Sequence, residues 1–208
     1  MIIAIDCDDT LIDTVPTWKQ FYLDLVDKNA NIPDDVYPSQ WPMCRNKEDW
    51  EHLVKILRNS KYLTMIPPLP GAIDGVRALK KAGHSLFVLT GIGDDPNVQK
   101  RRQKYLSEMF GDDTFSDVIC INAFESKADV MKKMSADILI DDGAIYINDA
   151  IKNGAHGIWL SRPYNAHLMN SAAGKCCFES NLDKDVMGRA RIAENWPHVV
   201  EIVNSLNN

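Results

Sequence analysis

Residues 2–5, Ile-Ile-Ala-Ile, form a short uninterrupted apolar run that ends in Asp6-Cys7-Asp8-Asp9-Thr10. No other stretch constrains the fold as much. An apolar run of this length, followed at once by turn-forming residues, predicts a buried strand. Strand alternation puts residues i and i+2 on one side, so Asp6 and Asp8 face one way and Cys7 faces the other, toward the core. Two carboxylates facing one way past a buried strand repel each other, and something must hold both. A hard cation such as Mg²⁺ suits oxygen ligands of this kind. Asp9-Thr10 reads as turn and cap chemistry.

Beyond residue 66 the pattern alternates helix and strand. Ile73, Val76 and Leu79 have helical spacing after Pro70-Gly71, and Gly83 ends that helix. Residues 85–89 form a strand that delivers Thr90-Gly91. Pro96 opens a charged helix to about Phe110. A strand over 117–121, a short helix over 127–133 and a strand over 137–140 follow, the last delivering Asp141-Asp142-Gly143. A helix over 145–153, a strand over 157–160 and a terminal helix over 196–206 complete the series. Continuous apolar strands alternating with helices predict an α/β fold, a parallel sheet covered on both faces. The segment between Asp13 and Pro67 breaks this pattern. It has helical stretches over 17–29 and 47–60, three prolines between them, and Trp18, Phe21, Tyr22, Tyr37, Trp41, Trp50 and Tyr62. It reads as a small helical insert after the first strand.

Composition excludes several classes. A net charge of −6 argues against a polynucleotide partner, which needs a basic stripe to displace counterions. No apolar run has the length of a membrane span, and no basic segment precedes the first acids, so a cytoplasmic chain with no membrane partner is expected. The five cysteines are odd in number and form no Cys-x-x-Cys pair, which suggests neither a disulfide framework nor a zinc site. The five histidines show no ligand spacing.

In an open parallel sheet, ligands bind beyond the carboxyl ends of the strands. Asp6, Asp8, Thr90, Asp141 and Asp142 all fall there, and Lys127 opens a helix after a strand and loop. The order Asp-x-Asp, Thr, Lys, Asp-Asp resembles the four motifs of the haloacid dehalogenase (HAD) superfamily of phosphotransferases, over almost the whole chain. The resemblance implies a HAD-like Rossmannoid three-layer sandwich, with residues 1–13 and 67–208 as catalytic core and 14–66 as a helical cap inserted after strand one. It implies Asp6 as nucleophile and Asp8 as general acid/base, chemistry that splits one hard phosphoryl transfer into two easier ones. It implies Mg²⁺ held by Asp6, the Asp8 backbone carbonyl, Asp141 and Asp142. Thr90, Gly91 and Lys127 would hold phosphoryl oxygens.

Further features resemble the 5'(3')-deoxyribonucleotidase branch. They are Pro68-Leu69-Pro70-Gly71-Ala72, Ile138-Leu139-Ile140-Asp141-Asp142, Leu160-Ser161-Arg162-Pro163-Tyr164-Asn165 and Ile192-Ala193-Glu194-Asn195-Trp196. That likeness implies a small phosphorylated substrate, a nucleoside monophosphate, with Trp18, Phe21 and Trp41 stacking on its base. The chain departs from the branch at Asp9-Thr10, at Gly91-Ile92-Gly93, and at Gly143, where a basic residue is common. A sugar-phosphate phosphatase on the same scaffold shares every catalytic residue. A receiver domain would place its lysine last, whereas Lys127 precedes Asp141, and dehalogenase chemistry would leave Asp8 without a task.

Overall fold

A computed structural model of the protein describes residues 1–32, 47–122, 125–166 and 182–207. The order is β1 (Ile2–Ile5), α1 (Thr14–Leu25), α2 (Lys47–Asn59), a 3-10 turn (Lys61–Thr64), α3 (Ala72–Lys81), β2 (Ser85–Thr90) and α4 (Pro96–Phe110). Then come β3 (Asp117–Cys120), α5 (Lys127–Met134), β4 (Ile138–Asp141), α6 (Ala144–Lys152), β5 (His156–Leu160), β6 (Arg191–Ala193) and α7 (Trp196–Leu206). The strands form one six-stranded sheet in the order β3-β2-β1-β4-β5-β6, and every pairing is parallel. The expected α/β architecture with a parallel sheet is present.

The order places the site. From β1 the chain winds outward to β2 and β3, then returns to the other side of β1 and winds through β4, β5 and β6. The direction reverses between β1 and β4, and at such a switch point the loops diverge and leave a crevice at the carboxyl ends. The acid pair after β1 and the acid pair of β4 therefore meet at one place. The Asp6 N–H donates to the Ile140 carbonyl at 2.9 Å, which carries the ladder up to the first carboxylate.

Alternation sorts the sheet residues between two cores. Ile3, Ile5, Leu86, Val88, Ile138, Ile140, Ile158 and Leu160 pack with Val76, Leu79, Val199 and Val203 of α3 and α7. Ala4, Leu89, Leu139 and Trp159 turn the other way, toward Met131, Ile147 and Ile151 of α5 and α6. Burial on both faces explains why the strands read as unbroken apolar runs. The insert has a separate core of Trp18, Phe21, Tyr22, Ile32, Leu57 and Tyr62. Its return joins the sheet through Leu63, which packs with Ile92 and Val98.

The sequence reading missed β6 and the 3-10 turn. Strand β6 has only three residues, two of them exposed, so it carries no apolar run. Cys7 is buried, but β1 ends at Ile5, so strand alternation does not continue through it, and one arginine nitrogen reaches both Cys7 and Asp8. Trp41, Cys44, Cys176, Cys177 and His167 lie outside the described residues. No helix among the described residues is long and apolar enough to cross a membrane.

Trp196 ties the last helix to the turn after β1. Its ring is buried and its indole N–H donates to the Thr10 carbonyl at 2.8 Å. It rests on Gly75, where an added Cβ would stand 2.5 Å from its Cε3 atom. Glycine within a helix ordinarily costs about 1 kcal/mol relative to alanine, so Gly75→Ala on an open face would stabilise. Here overpacking of roughly 1–3 kcal/mol opposes that gain. We expect a lower urea midpoint for Gly75→Ala; a midpoint at or above wild type would show that Trp196 moves aside freely.

Candidate active site

The turn after β1 is built on one carbonyl. The Cys7 carbonyl accepts from the N–H groups of Leu11 at 2.9 Å and Ile12 at 3.1 Å, which folds the chain back on itself. Asp9 takes a left-handed conformation, φ 58°, within that turn, a region an Asp tolerates better than most side chains. Its carboxylate accepts from the Thr14 N–H at 2.9 Å and the Thr14 hydroxyl at 2.6 Å. Asp9 therefore caps α1 from five residues upstream and satisfies N–H groups that the helix itself leaves open. The turn thus fixes the start of the insert and the directions of Asp6 and Asp8 together.

Lys127 stands at the centre. It is the first residue of α5, whose start is capped by the Ser126 hydroxyl accepting from the Ala128 N–H at 3.2 Å. The buried ammonium donates to Asp6 Oδ1, and to Asp141 Oδ2 at 2.7 Å. It also lies 4.5 Å from the centre of the Tyr146 ring, a favourable cation–π distance. Asp141 Oδ1 accepts from the Gly143 N–H at 2.8 Å. Gly143 suits this place: a Cβ there would stand 2.9 Å from the Tyr146 ring.

Asp142 is held from four sides. Its Oδ1 accepts from the Thr10 hydroxyl at 3.2 Å and its Oδ2 from the Tyr164 hydroxyl at 2.5 Å. Its backbone carbonyl accepts from the Trp159 indole N–H at 2.6 Å and from Asn165 Nδ2 at 2.9 Å. Oxygen atoms of Asp6, Asp141 and Asp142 lie within 4.8 Å of one another. Burial pushes all three carboxyl groups above the usual carboxylate range, with Lys127 pulling back against it. Burial alone would depress the Lys127 ammonium, but Asp141 and Asp6 outweigh it and hold it above its ordinary value. Three buried carboxylates thus share one ammonium, a negative excess that the described residues leave uncompensated. The donors are hard oxygens, so the set fits a divalent cation such as Mg²⁺.

Thr90 ends β2 at the same edge of the sheet. Its side-chain hydroxyl is wholly buried and has no hydrogen-bond partner among the described residues. Such a group is costly unless a ligand completes it. Gly91 follows, and its carbonyl accepts from Arg58 Nη2 at 3.1 Å, which links α2 of the insert to the loop after β2.

Asp8 points from the turn toward α4. Arg102 Nη1 of that helix donates to Asp8 Oδ1 at 2.6 Å and to the Cys7 sulfur at 2.8 Å. The sequence reading missed Arg102, although a signal existed. It occupies the middle of the stripe Val98–Arg102–Leu106, the buried face of α4, where an apolar residue belongs. Tyr164 and Tyr146 were also missed as site residues, because their partners are distant in sequence.

Trp18 and Phe21 sit in the core of the insert. Trp18 lies 4.9 Å from Trp50 and Phe21 5.5 Å from Tyr62, ring centre to ring centre. With 8% and 1% of their surfaces exposed, neither ring presents an open face to a base in this conformation.

The arrangement offers a carboxylate with one oxygen bound to an ammonium, a second carboxylate two residues on, an orphan hydroxyl and a cation-binding acid cluster. These are parts for phosphoryl transfer. The sequence matches the family described as "5' nucleotidase, deoxy (Pyrimidine), cytosolic type C protein" over residues 1–179. Comparison with curated proteins gives no match. Solved structures share the fold at low identity. A HAD-superfamily hydrolase from Ehrlichia chaffeensis is 15% identical, with a TM-score of 0.55, and the match covers 100% of this chain and 97% of that one. A HAD family hydrolase from Deinococcus radiodurans R1, with bound phosphate and sodium, is 10% identical with a TM-score of 0.66, covering 99% and 96%. The D,D-heptose 1.7-bisphosphate phosphatase of B. bronchiseptica, complexed with magnesium and phosphate, is 9% identical with a TM-score of 0.58, covering 99% and 98%. With a family match over most of its length and this fold around these residues, the chain belongs to the deoxy (pyrimidine) 5' nucleotidase family, cytosolic type C, phosphoric monoester hydrolases of the HAD superfamily.

Proposed function

We propose that this chain removes phosphate from a nucleoside monophosphate, most readily a deoxynucleotide, through an aspartyl-phosphate intermediate and with Mg²⁺ as cofactor. The observation that carries the reading is the buried cluster of Asp6, Asp141 and Asp142 around Lys127, beside the orphan Thr90 hydroxyl. The family match over residues 1–179 supports the nucleotide.

Asp6 attacks phosphorus with a carboxylate oxygen, and the ester P–O bond breaks as the new one forms. Asp8 gives its proton to the departing alkoxide, which leaves as the nucleoside. Water then attacks the aspartyl phosphate, Asp8 takes the water proton, and the bond from phosphorus to Asp6 breaks to release inorganic phosphate. Lys127 and Thr90 hold non-bridging phosphoryl oxygens, and fixed donors of this kind are usually the largest catalytic contribution. Backbone N–H groups after Asp6 and near Gly91 add to that cradle. Asp6, Asp141, Asp142 and the Asp8 carbonyl would hold Mg²⁺. When bound, the ion offsets the charge of the phosphate and of the acid cluster. Residues 14–66 act as the cap that selects the substrate. Trp18 and Phe21 shape it from within, and Trp41 is the remaining candidate for a base contact. The net charge of −6 fits a mononucleotide and not a polymer.

Asp6→Asn should fold and yet show no turnover above background, because an amide cannot form the acyl phosphate. Near-wild-type phosphate release from a purified, metal-loaded variant would end the nucleophile assignment.

Mg²⁺ should stabilise the folded chain, by about 2.7 kcal/mol at a concentration a hundredfold above Kd. Asp142→Asn should reduce that gain while raising stability in chelator, since it removes one of the crowded charges. Urea unfolding with and without Mg²⁺ reads both effects. An unchanged midpoint on adding Mg²⁺, with full activity in chelator, would reject the metal.

A release assay across ribo- and deoxynucleoside monophosphates and sugar phosphates tests the substrate. We expect kcat/KM for the best deoxynucleotide to exceed that for sugar phosphates by at least about fivefold, the least that stacking of a base on an aromatic ring supplies. Equal rates across both classes, or no nucleotide turnover, would move the assignment to a small phosphorylated metabolite and leave the Asp6 chemistry standing.

A further inference from the structure

We propose that Arg102 is a positioning residue for the phosphoryl-transfer reaction, holding the Asp8 carboxylate by one oxygen from beneath so that the other faces the leaving group. The proposal rests on the reading of Asp8 as general acid/base.

Geometry carries it. The Arg102 side chain is 2% exposed, whereas that of Asp8 is 35% exposed. The pair therefore joins a buried guanidinium to a carboxylate already in reach of water. Asp8 does not need this partner for solvation, and stability does not explain it. Arg102 occupies a core position between Val98 and Leu106, where an apolar residue would pack without desolvating a charge. Its Nε atom is buried with no hydrogen-bond partner, an additional cost. Its Nη1 is shared between Asp8 Oδ1 and the Cys7 sulfur, so it grips both sides of the β1 turn. No further hydrogen bond reaches the Asp8 carboxylate from the described residues. General acid catalysis needs the carboxyl oxygen within about 2.6–3.2 Å of the leaving oxygen, so a freely turning carboxylate loses rate. The substrate side is held by Lys127 and Thr90, which Arg102 does not touch, so its effect belongs on kcat for poor leaving groups and not on KM.

The test is a leaving-group series, from phenyl phosphate to 2,4-dinitrophenyl phosphate, on wild type, Asp8→Asn, Arg102→Met, Arg102→Lys and Asp8→Asn/Arg102→Met, all with Mg²⁺. Asp8→Asn should lose about 10²-fold or more on phenyl phosphate and far less on the activated ester. Arg102→Met should lose about tenfold on phenyl phosphate and under about twofold on the dinitrophenyl ester, with KM unchanged. In the Asp8→Asn background, Arg102→Met should cost nothing further, because coupled residues are non-additive. If Arg102→Met does not fold, Arg102→Lys decides, since it keeps the charge but lacks the reach and should show the same dependence on leaving group. Equal losses on both esters, or a full additional loss in the Asp8→Asn background, would overturn the proposal. Absence of any leaving-group dependence in Asp8→Asn would instead overturn the acid/base reading itself.

Discussion

The Lys127 ammonium holds the site together. Asp6 at the end of β1 and Asp141 at the end of β4 belong to adjacent strands, and alone their buried carboxylates would repel. Lys127 donates to both. Breaking such a pair leaves an uncompensated buried charge, which typically costs several kcal/mol. The strand order makes the arrangement possible, because the crossover reverses between β1 and β4 and brings their carboxyl ends to one crevice. Helix α5 then has to start within reach of both acids. The remaining members of the site are arranged around this bridge: Tyr146 lies over the ammonium, and Asp142 brings a third carboxylate that Lys127 does not neutralise alone.

That excess charge links structure to chemistry. A site balanced to neutrality would be more stable and would have less affinity for a divalent ion. Here burial raises the proton affinity of all three carboxyl groups. A ligand that brings positive charge would offset this crowding. The fold compensates elsewhere. Two apolar layers cover the sheet, and Trp196 reaches from α7 to the Thr10 carbonyl, behind the same turn whose Thr10 hydroxyl steadies Asp142. The terminal helix is thereby mechanically joined to the acid cluster, although it contributes no group to the reaction.

Much of this was legible in the sequence, for one physical reason. Residues at strand ends are announced by the apolar run that precedes them, so Asp6, Asp8, Thr90, Asp141 and Asp142 could be placed from pattern alone. Lys127 alone reads as a solvated helix residue, and only the ordered motif set that resembles the HAD superfamily singles it out. The structure brings Asp6 and Asp141 onto Lys127 and places an oxygen of Asp142 within 4.8 Å of theirs. What pattern did not reveal depends on contacts between distant segments. Tyr164 reaches Asp142 from a loop, and Asp9 caps a helix five residues away. Strand β6 carries too little apolar surface to show as a strand. Trp18 and Phe21 were read as faces for a base, whereas aromatic rings in a short insert first serve to give it a core. Trp18 and Phe21 belong to that core, and Trp41 lies outside the described residues.

Three exceptions to local rules gather at one end of the sheet. A carboxylate-bearing turn holds Asp9 at positive φ, a threonine hydroxyl is buried without a partner, and an arginine stands in the apolar stripe of α4. Each is locally unfavourable, and a sequence selected only to fold would avoid them. Elsewhere in the sheet, strand burial, helix caps and parallel register agree with one another. At the edge where β1, β2 and β4 end, a structural explanation would have to account for each of these three separately. The proposed reaction at that edge would account for them together: the turn would aim two carboxylates, the hydroxyl would meet a phosphoryl oxygen, and the arginine would hold the carboxylate assigned to proton transfer.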